Sequence, residues 1–164
     1  MSNARFNRHK ARIAVLIGLS SIILALPALA NPVLNLPGRW AGWGAVTLAS
    51  GATERVKCVA TYFVKNKGAS VRQNLRCAST NYKIDSTADL AIKAGAANGA
   101  WEERSKSNKG AIKGKVTAKG FDLFVTGETF TAKIKLTTGK CKQSISFVPT
   151  NLDVTRISIG LRKC

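Results

Sequence analysis

Histidine is almost missing from this chain: its 164 residues hold one, His9, close to the N-terminus. Acid is scarce too, with 8 Asp+Glu against 26 Lys+Arg. Without histidine beyond residue 9, the body of the chain lacks the commonest general base and both the Ser-His and Cys-His nucleophile pairs. It also lacks an imidazole to share in metal ligation. The few acids are poorly arranged for catalysis. Glu102 and Glu103 are adjacent, so on a strand they face opposite ways. Asp85 and Asp89 share a face, but the wet one, where little would shift their titration. No glycine-rich phosphate loop precedes a helix, and Ser105-Lys106 sits in a turn rather than in a Ser-Lys site. On these grounds the chain is expected not to be an enzyme, with no catalytic residue, no cofactor and no metal.

What is present begins with a leader. Arg5, Arg8, Lys10 and Arg12 precede the apolar run Ile13–Leu26, which Pro27 ends before Ala28-Leu29-Ala30. A basic stretch, an apolar core, a breaker and an A-x-A sequence are the parts of a signal peptide in their usual order. Ile13–Leu26 falls short of the roughly 20 apolar residues needed to span a bilayer, which argues against an uncleaved anchor. Cleavage is expected after Ala30, by the general secretory route, so that residues 1–30 are the signal peptide, 31–37 an extended lead-in and 38–164 a single β domain. The expected location is periplasmic or secreted.

Removing residues 1–30 takes four basic residues away and leaves 22 Lys+Arg minus 8 Asp+Glu, or +14. A charge of that size speaks about partners and solubility rather than fold. Outside the cytoplasm the candidates are an anionic envelope polymer or lipid. Nucleic acid fits the charge but not the compartment and is not expected. Contact with the inner membrane is expected only through the uncleaved leader.

All four cysteines, Cys58, Cys77, Cys141 and Cys164, fall in this part. An even count in an oxidising compartment reads as two disulfides, and no C-x-x-C knuckle supports a metal.

From Gly38 onward apolar and polar residues alternate. Phe130, Ala132, Ile134 and Leu136 are set against Thr131, Lys133, Lys135 and Thr137. That period of two predicts half-buried strands with one wet side. Ten candidate strands follow: Arg39–Leu48, Glu54–Val64, Ser70–Ala78, Tyr82–Lys93, Asn98–Arg104, Ala111–Ala118, Phe121–Thr126, Thr129–Thr137, Lys142–Val148 and Leu152–Leu161. The separators are short and rich in glycine, serine and asparagine, so neighbours are antiparallel. The fold class is an all-β, up-and-down antiparallel meander of about 8–10 strands, closed as a barrel or packed as a tight sandwich.

In a hairpin closed across Lys65–Ala69, Val64 faces Val71, Tyr62 faces Gln73, Ala60 faces Leu75, and Cys58 then faces Cys77 on the inward side. That leaves Cys141 to pair with Cys164. Simple hairpin register carries Cys164 about five residues too far, which calls for a bulge or curled tail.

Gly38-Arg39-Trp40 resembles the opening of lipocalin-like and avidin-like barrels, and that resemblance implies that Trp40 plugs one barrel end. As a whole the chain is also similar to a group of short exported proteins of Gram-negative bacteria. The shared features are G-R-W-x-G-W-G (Gly38 to Gly44), C-x-x-x-Y (Cys58 to Tyr62), L-R-C-A (Leu75 to Ala78), G-x-W-E-E (Gly99 to Glu103) and a terminal cysteine. This second resemblance implies the compartment and the β fold, and carries no mechanism.

The candidate ligand contacts are Trp40, Trp101, Gln73 and Gln143. The two glutamines stand at inward positions, where a buried amide must line a cavity or bond a neighbour, most often backbone. Small inward residues (Gly42, Gly44, Ala60, Ser86, Ala88, Gly114, Ala132) let the sheet pack closely or leave room for a ligand. The candidate anion contacts are Lys57, Arg72 and Arg76 as one cluster and Lys113, Lys115, Lys133 and Lys135 as another. The sequence therefore predicts a non-catalytic exported binding module. It takes a small apolar ligand in a β-barrel or an anionic envelope component on its basic exterior. A structural or inhibitory protein acting by protein–protein contact is the alternative.

Overall fold

The computed structural model describes residues 31–164, so the leader expected over 1–30 lies outside the described residues. Ten strands follow one another: β1 (Gly38–Leu48), β2 (Thr53–Lys65), β3 (Ser70–Ala78), β4 (Lys83–Lys93), β5 (Ala96–Glu103), β6 (Asn108–Thr117), β7 (Gly120–Thr126), β8 (Thr131–Thr138), β9 (Lys142–Thr150) and β10 (Val154–Arg162). Each pairs antiparallel with its neighbours in sequence, and β10 returns to β1, closing the sheet into a barrel. The expected all-β meander is therefore present in its closed form, not as a sandwich. Closure leaves no strand edge unpaired.

The alternation that predicted the strands also sets what fills the barrel. Val56, Cys58, Ala60 and Tyr62 of β2 are buried, and Ile112, Val125, Ala132, Leu136, Ile145 and Ile159 extend the inner face around the barrel. Glycines appear where the coiled sheet brings backbones together. A Cβ on Gly42 would collide with the carbonyl of Gly160, and one on Gly114 with that of Asp122.

The Cys58–Cys77 hairpin has the predicted register: Val64 faces Val71, Tyr62 faces Gln73, Ala60 faces Leu75 and Cys58 faces Cys77. The bridged cysteines have Cα atoms 4.1 Å apart and are buried inside the barrel. Cys141–Cys164 is the second disulfide, with Cα atoms 5.2 Å apart. Its expected overshoot does not occur. β9 runs on to Thr150, the turn is centred on Asn151–Asp153, and Arg162 faces Lys142. That register brings Lys163 opposite Cys141, whose carbonyl accepts from Lys163 N at 3.2 Å, so Cys164 needs no bulge to reach its partner.

A second correction concerns residues 31–37, expected to be extended. Pro32–Asn35 form one 3-10 turn, capped by the Asn31 side chain, which accepts from Val33 N at 3.0 Å. Asparagine at the cap followed by proline at the first helical position is a helix-start pair, and the cap suffices for a single turn. The turn buries Val33 and Leu36 across one barrel end, touching β6 and the 3-10 turn Asn66–Gly68.

Candidate functional site

Because the strands alternate in direction, the five loops 49–52, 79–82, 104–107, 127–130 and 151–153 gather at one end of the barrel. The other end is shut. There Trp40 is fully buried and donates its indole N–H to the carbonyl of Leu36 at 2.8 Å. Lys163 Nζ stands 4.7 Å from the centre of the Trp40 ring, over the plug.

Above this plug the barrel encloses a cavity of about 280 Å³. Leu36 borders it at the shut end, and Val71, Leu90, Phe121, Ile134 and Ile145 wall it. Ser86 and Ala88 border it as well. Of the small inward residues, these two border open space, while Gly42 and Gly114 serve close packing. The cavity reaches the surface at the loop end, beside Lys83, Lys106 and Leu152.

One polar group interrupts the apolar interior. Gln73 Nε2 donates to the Tyr62 hydroxyl at 2.6 Å, and that hydroxyl donates to Gln143 Oε1 at 2.9 Å. Tyr62 and Gln73 border the cavity, while Gln143 is buried behind the tyrosine hydroxyl. Burial pushes the Tyr62 hydroxyl far above its ordinary titration, against the smaller opposing effect of its bonds to Gln73 and Gln143. It therefore stays neutral. Gln143 Nε2 is buried with no partner among the described residues.

The loop end is stiffened by carboxylates. Glu103 accepts from the backbone N–H of Asp85 (3.0 Å), Ser105 (3.1 Å) and Lys106 (2.8 Å), which fixes the 104–107 loop. Burial alone would push its carboxyl up, but these bonds outweigh it and hold it below the usual range. Glu54 accepts from Ser79 and from Asn81 N and Nδ2 (3.1 and 3.0 Å), and these bonds hold its carboxyl low, Ser79's the most. Trp101 stands against Phe130 with ring centres 5.5 Å apart, Phe130 against Phe147 at 6.3 Å, and all three border the cavity.

The residues singled out by sequence are thus dispersed. Trp101 and Gln73 border the cavity, whereas Trp40 is a plug whose polar atom is already bonded. Gln73 and Gln143 meet through Tyr62 rather than bonding backbone. Sequence reasoning missed Tyr62 as a site residue. The available signal was its inward place opposite Gln73, since a buried hydroxyl needs a partner. On the outer wall, Arg72 makes a two-point pair with Asp89 (2.7 and 3.0 Å), and Arg76 shares Asp85 with Arg104. Lys57, in the same expected cluster, is exposed. Lys113, Lys115, Lys133 and Lys135 are exposed and form a block, Lys113 and Lys133 flanking Phe124, Lys115 and Lys135 flanking Asp122.

No family model and no curated protein matches the chain. Among solved structures it is similar to one described as the S-type phycobiliprotein lyase CPES from Guillardia theta, with a TM-score of 0.59 and 10% identity, over 79% of this chain and 88% of that one. At that identity the likeness speaks for the barrel fold alone. It nonetheless corrects the expectation that the chain is not an enzyme: a barrel of this kind is the fold of a protein described as a lyase. Lack of histidine beyond residue 9 removes one common general base, not catalysis as a whole.

Proposed function

We propose that this chain is an exported small-ligand-binding barrel that takes a compact apolar molecule into its interior. The observation that carries this reading is the cavity of about 280 Å³, walled by aliphatic and aromatic side chains, shut by Trp40 and Leu36 and reaching the surface at the loop end. Small-molecule sites are concave and mostly apolar, with few placed polar groups, and the mouths of β-barrels are favoured places for them. The volume stands near the lower end of the roughly 300–1,000 Å³ range of small-molecule sites, which suits a compact ligand. Two disulfides favour an oxidising, non-cytoplasmic compartment. The leader over residues 1–30 and the likeness to short exported proteins of Gram-negative bacteria support a periplasmic or secreted location.

The neutral fluorescent probe 1-aminoanthracene tests the cavity. The expected result is saturable binding at one equivalent, with quenching of Trp101 and displacement by nonane. Absence of saturable binding would overturn the ligand reading and return attention to protein–protein contact, with co-purification of a stoichiometric partner as its sign.

A weaker second reading concerns the exterior. The lysine block of β6 and β8 supports contact with an anionic envelope component, because none of its four lysines is in an ion pair among the described residues. Arg72 is paired with Asp89, and Arg76 shares Asp85 with Arg104, so they support it less.

A further inference from the structure

The polar relay in the apolar cavity is incomplete. Gln73 points inward from β3 and borders the cavity, and the NH2 of its amide is engaged with Tyr62. Its Oε1 bonds nothing among the described residues. At the other end of the relay, Gln143 is only 4% exposed and its Nε2 has no partner among the described residues. Buried polar groups are nearly always satisfied. Gln143 lies off the cavity, so the open position that a ligand reaches is the free carbonyl oxygen of half-buried Gln73.

The relay also reads in both directions. With both amides turned over, Gln143 Nε2 donates to the Tyr62 hydroxyl and that hydroxyl donates to Gln73 Oε1. Gln73 then offers the cavity a donor instead of an acceptor. A group that both donates and accepts fits either sense, and a hydroxyl is the smallest such group. The floor carries no formal charge to receive an ion, since Tyr62 stays neutral and both its partners are amides. A buried ionic head without a counter-ion is strongly disfavoured. The charged side chains bordering the cavity, Lys83, Glu103 and Lys106, stand at the loop end. Tyr62 instead faces Gly38, the first residue of β1, near the plug.

We propose that the ligand is a neutral amphiphile, a compact hydrocarbon body ending in one hydroxyl. It enters hydroxyl first and bonds the unengaged end of the Gln73 amide, with its hydrocarbon end lying toward Trp101, Phe130 and Phe147. This rests on the cavity-binding reading and adds the ligand's chemistry and orientation to it.

The test displaces 1-aminoanthracene with 1-nonanol, nonane and nonanoate at pH 8, using the unaltered protein and Gln73→Leu. One net hydrogen bond corresponds to a loss of about five- to tenfold. Gln73→Leu is therefore expected to weaken 1-nonanol by that factor and to leave nonane unchanged or tighter. In the unaltered protein nonanoate is expected to bind more than about tenfold more weakly than 1-nonanol, as an unpaired ion at the floor must. Equal effects of Gln73→Leu on 1-nonanol and nonane overturn the orientation while the cavity reading stands. Nonanoate as tight as 1-nonanol overturns the neutral head and points to the lysines of the mouth. Displacement by none of the three overturns the cavity reading as well. Should Gln73→Leu not fold, the side-chain amide signals of Gln73 in the unaltered protein decide. They move with 1-nonanol and stay with nonane if the inference holds, and move alike with both if it fails.

Discussion

Lys163 holds Trp40 from outside: its ammonium lies 4.7 Å from the ring centre and donates to the carbonyls of Asn35 at 2.9 Å and Pro37 at 3.2 Å. The penultimate residue of the chain thus ties down both the plug and the turn that precedes it. A cation over an indole contributes about 0.5–1 kcal/mol at an exposed site such as that of Lys163. Truncating a large buried aromatic costs about 3–5 kcal/mol. Trp40→Ala is therefore expected to cost several times what Lys163→Met costs, read as the fall in urea midpoint at constant slope. Similar losses would mean that burying the ring adds little beyond the contacts of Lys163.

The two disulfides close loops of similar length, with separations of 19 and 23 residues. Loop-closure entropy alone assigns each about 3 kcal/mol. Their surroundings differ: Cys58 and Cys77 are buried in the barrel, while Cys164 is exposed. Replacing Cys58 and Cys77 by alanine also leaves unfilled space among buried side chains. That pair of substitutions is expected to cost more than the Cys141→Ala, Cys164→Ala pair, by about 1 kcal/mol or more in chemical denaturation. The opposite ranking would show that tethering the tail under Lys163 matters more than packing.

How far the sequence could be read follows from what each inference needed. The hairpin carrying Cys58 and Cys77 was readable to the residue because its alternation is strict and one register places both cysteines inward. The β9–β10 register was not, because Pro149-Thr150-Asn151 looks like a turn while Pro149 and Thr150 continue the strand. Proline is tolerated in such a strand where its missing N–H costs no ladder bond. Capping residues were visible at Asn31-Pro32, yet a single 3-10 turn leaves no periodicity to detect. The cavity could not be read at all. Small inward residues serve either packing or space, and only the placed backbone separates Gly42 from Ser86. Opposite charges on neighbouring strands were readable in principle, since Arg72 and Asp89 fall on adjacent outward faces once the β3–β4 register is known.

Acid should loosen the wall between β3 and β5. Asp85 accepts from Arg104 at 2.6 Å and from Arg76 at 3.4 Å, and Arg104's bond is the chief cause that holds its carboxyl below the ordinary aspartate value. A carboxyl depressed in the folded state stabilises it above the unfolded value, near 3.9, and this contribution is lost as pH falls through the folded value. Stability is therefore expected to drop on acidification below about pH 4. Asp85→Asn should flatten that limb while lowering stability at neutral pH. Thermal melting from pH 2.5 to pH 7 reads both, and an unchanged acid limb in the variant would remove Asp85 from the account.

The lysine block makes a claim about salt. Exposed charges act over about 8–10 Å at ordinary ionic strength, so clustered lysines reinforce one another on a polyanion and scattered ones do not. Changing Lys113, Lys115, Lys133 and Lys135 together to glutamine should bring elution from a heparin column to lower salt than changing Lys65, Lys83, Lys93 and Lys140 together. Both sets remove the same charge, so equal elution would mean that net charge alone governs retention.

A last expectation concerns the cavity without touching its polar floor. Ser86, the fourth residue of β4, borders it half-buried, and its hydroxyl makes no hydrogen bond with another described residue. Ser86→Leu would place a branched aliphatic side chain in the space a ligand needs. Filling an apolar void recovers contacts and buries hydrocarbon, with gains of about 0.5–2 kcal/mol typical of cavity-filling changes. The variant is thus expected to melt higher than the unaltered protein while losing most of its affinity for 1-aminoanthracene. Stability and binding then move in opposite directions, as they must if the void is kept for a ligand at a cost to the fold. If the variant loses about 1–3 kcal/mol instead, the site is already packed to its limit. The volume around Ser86 would then not be ligand space, and the binding site would have to lie deeper, nearer Gln73 and Leu90.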